Sequence, residues 1–410
     1  MSIQLFLKTG INDVNIKAAI MKRILFVLPS LQNGGTVTTL KNTLPYIDRE
    51  KCQIDIFPIT NSGPNYDYIS RYATILGTRL EGDNRVDFKR KIKSIVFLVV
   101  KGVKKILCSM GYDPSAVIFK SVVARLQRNR YDEVIAFQEV QATRLVSFFK
   151  DVHKVAWVHC DYSKIEQSEI NIDIKQNVYD SYDKIVCVSE FTKQQFIRII
   201  PNTESRTVAI HNLISSESII KRSTDIIDDA QFAKSKGLRF VSLGRLHPVK
   251  RFSAIPKIAL RLKERGLVFE WFIIGGDDSD KGLIEESIEK YNVSNLVKLL
   301  GNKNNPYPYI KNADVLICTS FSEACPNVLN EAKILGTPIV STNFGSVGEM
   351  MTEGVEGLVS PIEQIDWAIF RLFKEDGLYT CIKKNVTNYN YDNKDILKKL
   401  SDATSLEFVS

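Results

Sequence analysis

Histidine and paired cysteines are scarce in this chain. Among 410 residues there are four histidines and seven cysteines, and no two cysteines form a C-x-x-C pair. Structural zinc sites and disulfide-rich secreted domains both require such residues at short, repeated spacings. The pattern therefore argues against a metal centre and against a disulfide framework, and it favours reduced thiols in a cytosolic chain.

Long apolar runs are also absent. No run reaches the roughly 18 to 20 residues that a membrane-spanning helix needs. The first twenty residues lack the basic start and the long apolar core of a secretory signal peptide. We treat residues 1–20 as an extension of uncertain status and assign them no function.

Apolar strand-like runs alternate with helix-length segments, and this pattern occurs twice. The runs are 24–28, 134–137, 155–158 and 185–188, then 238–244, 270–274, 297–300, 315–318 and 338–341. Continuous apolar runs of this kind are typical of parallel strands that are buried on both faces. The sequence predicts an α/β fold of two Rossmann-like domains that face a central cleft.

The polar stretch 215–237 separates the two halves and is predicted to be an interdomain linker. The first domain is then 21–214, and the second is 238–410. This division leaves open a last helix that crosses back to the first domain.

Two glutamates eight positions apart, Glu323 and Glu331, flank Pro326 directly after an apolar run. A helix that begins near Pro326 would hold Glu331 in its first turns and leave Glu323 in the preceding loop. Unpaired amide groups at such a helix start favour an anionic or hydroxylated ligand, and open α/β sheets bind ligands at strand carboxyl ends. The alternative is an ordinary strand-loop-helix with two surface glutamates.

The segment E-A-C-P-N-V-L-N-E resembles the E-x7-E signature of the retaining glycosyltransferases of family four, which have the GT-B fold. Ala324 and Cys325 replace the small and aromatic residues that are usual there. The resemblance implies a metal-independent enzyme without a cofactor. It places Glu323 beside the donor sugar as a catalytic residue and Glu331 on the ribose of the nucleotide. The other implied nucleotide- and sugar-binding residues are Asn327, Val328 and Leu329.

A glycine pair, Gly34 and Gly35, follows the first strand and precedes a helical pattern. Glycine lets the backbone approach a ligand closely, and a helix start can hold a phosphate. A tight turn without a ligand would have the same sequence. In the family that this chain resembles, a glycine pair at this place lies beside the donor diphosphate and the acceptor.

One histidine, His159, ends an apolar run in W-V-H-C-D-Y. The carboxyl end of a strand is where a catalytic side chain belongs in such folds. The H-x-D pattern formed with Asp161 resembles the family's motif near the transferred sugar. The resemblance therefore implies a catalytic role for His159.

Two cations, Arg245 and Lys250, follow the strand that opens the second half. The segment G-R-L-H-P-V-K resembles the family's G-R-L-x-x-x-K, whose arginine and lysine bind the donor diphosphate. Cations at this place suit a leaving group on which negative charge develops.

Positive charge is concentrated in residues 85–130, which contain twelve Lys and Arg against two Asp and Glu. Subtracting this local +10 from the chain's +8 leaves −2 for the remainder. Apolar residues interleave with these cations, as in segments that dock on anionic lipid, although a solvated helix has the same pattern. No nucleic-acid recognition motif accompanies the charge.

The resemblance implies one functional interpretation: a retaining hexosyltransferase that uses a nucleotide-diphosphate sugar, with UDP expected because it is the family's commonest donor type. The second domain would bind this nucleotide sugar, and the first domain would be on the acceptor side. The expected acceptor is a glycan or a lipid-linked saccharide of bacterial surface-polysaccharide or capsule synthesis. The expected location is cytoplasmic and peripheral to the membrane. Two alternatives stay open: a nucleotide-sugar 2-epimerase on the same fold, and a non-catalytic protein that binds nucleotide sugars.

Overall fold

The computed structural model describes residues 21–60, 63–77, 115–227, 229–276 and 278–409. The chain divides into two compact units. The first ends at Leu213 and is joined by the C-terminal residues from Lys394 onward, and the second comprises Ile214–Asn393.

The first unit is a parallel sheet of seven strands connected by helices. Its strands are β1 (Lys22–Leu28), β2 (Cys52–Pro58), β3 (Thr74–Ile75), β4 (Glu133–Ala136), β5 (His153–Val158), β6 (Lys184–Cys187) and β7 (Thr207–Ala209), in the order β3-β2-β1-β4-β5-β6-β7. Its helices are α1 (Gly35–Thr43), α2 (Tyr66–Ile69), α3 (Ala116–Leu126), α4 (Gln141–Ser147), α5 (Gln167–Lys175) and α6 (Glu190–Ile199).

The strand order of this sheet reverses between β1 and β4. Strand β1 pairs in parallel with β2 on one side and with β4 on the other. Its residues from Ile24 to Leu28 are completely buried, which explains the continuous apolar run. Such a reversal opens a crevice at the strand carboxyl ends, where α/β proteins bind ligands.

The second unit is a parallel sheet of six strands in the order β10-β9-β8-β11-β12-β13. Its strands are β8 (Leu238–Leu243), β9 (Phe269–Ile274), β10 (Val297–Gly301), β11 (Val315–Cys318), β12 (Ile339–Thr342) and β13 (Gly357–Ser360). Its helices are α7 (Ser216–Arg222), α8 (Ala230–Ala233), α9 (Ile255–Glu264), α10 (Lys281–Lys290), α11 (Tyr307–Lys311), α12 (Asn327–Ile334), α13 (Val347–Met350), α14 (Ile365–Lys374) and α15 (Leu378–Thr387). The order reverses between β8 and β11, so the loops after these two strands meet at the crevice.

These two sheets confirm the predicted α/β class with two Rossmann-like domains. The linker prediction for residues 215–237 was wrong, because that stretch contains α7 and α8. Ile219 and Phe232 of these helices are buried in the core of the second unit. Their apolar residues are too few and too widely spaced to give a strong helical pattern.

The C-terminal residues pack on the first unit. After helix α16 (Lys394–Ala403), the Ser405 amide donates to Glu133 at 2.8 Å, and the Lys22 ammonium pairs with Glu407 at 2.8 Å. The last helix therefore belongs to the first unit, which is the crossing back that the sequence left open for the end of the predicted domain 238–410.

Most of the basic segment, residues 85–114, lies outside the described residues. In the part that the structure describes, α3 exposes the side chains of Val117 and Ile118. Among the described residues, no helix combines the length and the apolar character that crossing a membrane demands.

Candidate functional site

The loop after β8 is held against the end of β9 by backbone contacts. The Gly244 amide donates to the Ile274 carbonyl at 3.1 Å, and the Leu246 amide donates to the Gly276 carbonyl at 2.9 Å. A Cβ atom on Gly275 would lie 1.7 Å from the Gly244 carbonyl oxygen. Only glycine fits at position 275. Because it has no side chain, the start of the Arg245–Lys250 loop can pack directly against the backbone that follows β9.

We expect Gly275→Ala to displace this loop and to weaken nucleotide binding. The clash is between backbone and Cβ, so no side-chain rotation relieves it, and a loss of stability of roughly 1 to 3 kcal/mol is expected. Gly282→Ala is the matched control, because a Cβ there meets no atom within 4 Å. Thermal unfolding with and without UDP measures both effects. A Gly275→Ala protein that binds UDP as the parent does would contradict the assignment.

The loops after β8 and β11 bring Lys250 and Glu323 into direct contact. The Lys250 ammonium donates to Glu323 Oε1, and the Ser320 hydroxyl donates to the same oxygen at 2.6 Å. The two charged side chains are 19% and 13% exposed, so each retains a route to a ligand. The structure thus joins two residues that are 73 positions apart in sequence, a cation and a carboxylate, at the crevice of the second sheet.

Further hydrogen bonds fix this pair. The Thr319 hydroxyl donates to the Lys250 carbonyl at 2.7 Å, and the Ser346 hydroxyl donates to the Glu323 carbonyl at 2.9 Å. The Phe321 amide donates to the Val249 carbonyl at 2.7 Å. Side chains that are held in this way need little reordering when a ligand arrives.

The electrostatics of the pair favour the charged form of Lys250. Burial lowers the pKa of Lys250, but the neighbouring Glu323 carboxylate outweighs burial, so the pKa is raised overall. The charge of Arg245 acts on Lys250 in the opposite direction. Arg245 itself is exposed. The loop therefore carries two cations close enough to influence each other, one held by a carboxylate and one open to solvent.

Helix α12 begins immediately after Pro326, as predicted. Pro326 occupies the N-cap position, and no side chain caps the helix. Asn327 and Val328 are half-buried in the first turn. Leu329 is fully buried in the core, and its amide donates to the Pro326 carbonyl at 3.2 Å. The side chain of Leu329 therefore packs beneath the turn, so its predicted binding role would depend on its backbone.

Glu331 lies in the second turn of α12 and is 8% exposed. Burial raises the pKa of Glu331 to about 7, and the charge of Arg222 and a hydrogen bond with Tyr307 oppose this rise. The Arg222 guanidinium lies 4.8 Å from the centre of the Tyr307 ring and donates to the Asn304 carbonyl at 3.0 Å. The carboxyl group thus has a cation and a phenol as neighbours.

In the first unit, Gly34 and Gly35 lie at the start of α1, beside the crevice between β1 and β4. A Cβ at either glycine would meet no atom within 4 Å, so these positions are open. Asn65 anchors the loop from below: its amide donates to the Leu31 carbonyl and to the Asn33 side chain, each at 2.9 Å. The open space beside the backbone is what a ligand-approach role requires.

His159 directly follows β5. Its ring stacks on Trp157, with ring centres 6.0 Å apart, and lies 4.9 Å from the centre of Phe137. Nε2 is shielded from solvent and has no hydrogen-bond partner among the described residues. Burial lowers the pKa of His159 to about 3, so the imidazole is neutral at physiological pH. A neutral ring can donate or accept one hydrogen bond at Nε2, depending on its tautomer.

The predicted site residues therefore fall into two groups. Arg245, Lys250 and Glu323 cluster in the second unit, which also contains the helix with Asn327, Val328 and Glu331; Gly34, Gly35 and His159 belong to the first unit. Sequence reasoning missed four residues that contact the two glutamates. Ser320 and Ser346 hydrogen-bond to Glu323, and Arg222 and Tyr307 lie beside Glu331. Single serines and aromatic residues carry no spacing signal, and their roles arise only from the fold.

The chemical capacity of the second-unit cluster follows from its groups. Lysine and arginine suit the phosphate groups of a ligand, and two carboxyl groups on the same side of the sheet suit hydroxyl groups. A molecule that carries both phosphates and polyhydroxylated parts matches these groups.

Comparisons with known proteins agree with this chemistry. Residues 223–389 match the family model described as "Glycosyl transferases group 1". An uncharacterized glycosyltransferase of Methanocaldococcus jannaschii is 23% identical over 294 residues, 67% of this chain and 68% of that protein. The match to the family model lies within the second unit, and the relative is similar to about two thirds of the chain.

A second relative spans almost the whole chain. The N-acetylgalactosamine-N,N'-diacetylbacillosaminyl-diphospho-undecaprenol 4-alpha-N-acetylgalactosaminyltransferase of Campylobacter jejuni is 22% identical over 375 residues, 91% of this chain and 94% of that enzyme. Among solved structures, HepE of Anabaena in complex with UDP-glucose superposes with a TM-score of 0.72 at 15% identity, covering 93% of this chain and 99% of HepE. The structural match shows the GT-B fold for this chain.

Proposed function

We propose that this protein is a retaining glycosyltransferase that moves a sugar from a UDP-sugar donor to a glycan or a lipid-linked acceptor. The observation that carries the proposal is the Lys250–Glu323 pair at the crevice of the second sheet. The start of α12 follows Glu323 in the chain, and Glu331 lies on the same helix. As the resemblance implies, the reaction needs neither a metal ion nor another cofactor.

In this proposal each group has one task. Lys250 and Arg245 bind the diphosphate, Glu323 faces the transferred sugar, and Glu331 accepts hydrogen bonds from the ribose. Lys250 contacts Glu323 in the structure, so the phosphate and the sugar that it carries would lie side by side on the same pair.

The reaction breaks the bond between the anomeric carbon and the diphosphate oxygen and forms a bond from the same carbon to an acceptor oxygen. The electron pair of the broken bond leaves with the diphosphate, where Lys250 and Arg245 stabilise the developing charge. The acceptor attacks on the face that the diphosphate leaves, and its proton passes to the departing phosphate oxygen. The anomeric configuration is retained, and no enzymic nucleophile is required.

The acceptor proposal is supported by sequence likeness. The segments N-P-Y-P-Y-I and E-A-C-P-N-V-L-N-E are similar to those of bacterial capsule and surface-polysaccharide enzymes. The Campylobacter relative, by its name, adds a sugar to a saccharide on diphospho-undecaprenol. We therefore propose an acceptor of the same class and a place in bacterial surface-polysaccharide synthesis.

A lipid-linked acceptor requires access to a membrane surface. We propose that the basic segment, 85–130, docks the enzyme on anionic lipid at the cytoplasmic face of the cell membrane. Its charge of +10 and the exposed Val117 and Ile118 of α3 support this role. Each Lys or Arg near such a surface contributes roughly 1 kcal/mol. Co-sedimentation with phosphatidylserine vesicles at low and high salt tests this docking role. A protein that does not sediment with the vesicles even at low salt would refute it.

Donor turnover tests the proposed function. The purified protein is mixed with UDP-glucose, UDP-galactose, UDP-N-acetylglucosamine and UDP-N-acetylgalactosamine in turn, with octyl glycosides as acceptors. We expect UDP release with at least one donor, unaffected by a chelator, and a product whose anomeric coupling constant equals that of the donor. Inverted product, or conversion of the donor sugar at C2, would refute the proposal.

Donor affinity should depend on pH through Glu331. Its carboxyl has a pKa of about 7 when no donor is bound, and the ionised form accepts ribose hydroxyl groups more strongly. Below pH 7, donor binding must first remove that proton, so affinity should rise with pH up to about 7.5, by at most about tenfold per pH unit. UDP-glucose is the probe, because its diphosphate has no group that titrates in this range. The Glu331→Gln variant should lose the dependence, and a parent protein with flat affinity would contradict it.

A further inference from the structure

A buried carboxylate, Glu139, lies at the crevice of the first sheet. It follows β4 by three residues, and the Phe137 amide in the same loop donates to the Val27 carbonyl of β1 at 2.8 Å. The loop therefore stands where the strand order reverses, between β1 and β4. Ligands of open α/β sheets bind at this place.

Within the described part of the chain, Glu139 is buried without a cationic side chain paired to it. Its side chain is 8% exposed, and it has no salt-bridge partner among the residues that the structure describes. Two other buried carboxylates of this unit do have such partners: Asp173 pairs with Arg144 at 2.6 Å, and Glu133 contacts His153 at 2.7 Å. Burying a carboxylate without a cation costs stability unless hydrogen bonds satisfy it.

Two neighbours at the end of β5 contact this carboxylate. Its Oε2 accepts the backbone amide of His159 at 2.9 Å, and the Cys160 thiol is hydrogen-bonded to the same side chain. One amide and one thiol are fewer donors than the roughly four acceptor positions of a carboxylate. Glu139 therefore retains acceptor capacity beside His159.

The backbone next to Glu139 is strained. Val140 has φ 66° and ψ −91°, a conformation that is unfavourable for a β-branched residue. Strain of this kind persists where the surrounding structure holds a functional group in place. Here Val140 sets the turn that carries the chain from the Glu139 loop into α4.

His159 adds a second unsatisfied group at the same place. Its Nε2 has no partner among the described residues, and its backbone is fixed by Glu139 itself. A carboxylate that accepts and an imidazole that donates or accepts form a pair suited to neighbouring hydroxyl groups. Phosphate is excluded as the ligand of Glu139, because both would be negative.

We propose that Glu139 is a substrate-binding residue, and that its carboxylate, beside His159, binds hydroxyl groups of the acceptor saccharide. The inference rests on the proposed function, since it names the part of the site that receives the acceptor. It assigns to the first unit a polyhydroxylated, uncharged sugar ring. The Glu139 carboxylate would select for sugars with free hydroxyl groups, because a ring without them would leave this buried carboxylate without a hydrogen-bond donor.

The test measures glycoside binding and donor binding on the same variants. Octyl glucoside, octyl galactoside and octyl N-acetylglucosaminide, each below its micelle concentration, are the acceptor probes in ligand-observed NMR titrations. Glu139→Gln keeps the shape and an acceptor for the His159 amide but removes the charge. We expect this variant to bind the glycoside that the parent binds at least tenfold more weakly. Its KM for transfer to that glycoside should rise by a similar factor. UDP affinity should remain that of the parent.

Glu133→Gln is the matched control, since it removes a buried carboxylate from the first residue of β4, the strand that leads into the Glu139 loop. This control is expected to lower thermal stability and to leave glycoside affinity unchanged. Equal glycoside affinity of Glu139→Gln and parent would overturn the inference, as would a parent that binds no glycoside while it binds UDP. A parent that binds neither UDP nor any UDP-sugar would instead refute the proposed function.

Discussion

Replacing Glu323 with glutamine is expected to lower turnover by about a hundredfold or more, the size of effect that a lost charge at a reacting centre produces. The transferred sugar becomes positively charged as the diphosphate leaves, and a carboxylate beside it stabilises that charge. UDP affinity should be equal or higher, because Lys250 loses its internal partner and becomes available to phosphate. Initial rates at saturating UDP-sugar, together with UDP titrations, separate the two effects.

The matched control for this variant is Glu285→Gln, an exposed carboxylate on helix α10. It removes the same charge from the second unit and should change neither rate nor affinity. A Glu323→Gln protein with full turnover at saturating donor would remove Glu323 from the reacting centre.

Replacing Lys250 with methionine is expected to weaken UDP binding by about tenfold to a hundredfold, since a charge-assisted hydrogen bond contributes roughly 1.5 to 3 kcal/mol. Methionine keeps the aliphatic stem, so the loss belongs to the ammonium. The same change leaves the Glu323 carboxylate without its cation, so the unliganded protein should also unfold at a lower temperature.

Arg245→Ala distinguishes the ligand effect from the structural one. Arg245 is exposed, so its removal should weaken UDP binding with little change in thermal stability. Calorimetric titrations at two salt concentrations would measure both variants, and the electrostatic contribution should shrink as salt rises. Unchanged UDP affinity in both variants would exclude the loop from the diphosphate site.

The fold could be predicted from the sequence because parallel strands that are buried on both faces give continuous apolar runs. Strand β11, for example, is wholly buried, and the predicted bounds were those of the structure. Strand β2 was missed, since Asp55 interrupts its apolar pattern. The structure shows why that aspartate is tolerated: it is buried and accepts a hydrogen bond from the Tyr131 hydroxyl at 2.8 Å. That partner is 76 residues away and has no local signal.

The site was predictable where residues lie at fixed spacing along one loop or helix. Glu331, for example, follows Pro326 on the helix predicted to begin there. The direct contact of Lys250 with Glu323 was not predicted, because it depends on the neighbouring positions of β8 and β11 in the sheet. Glu139 was missed for the same reason: only strand order places it beside His159.

A calorimetric titration of UDP into the parent protein and into Glu331→Ala tests the central claim most directly. If the second unit binds the nucleotide of a sugar donor, the parent should bind one UDP per chain. The variant should lose roughly tenfold or more in affinity, since a carboxylate that bonds the ribose contributes about 1.5 to 3 kcal/mol. A parent protein that binds no UDP, or a variant that binds it with the parent's affinity, would contradict the assignment of this site.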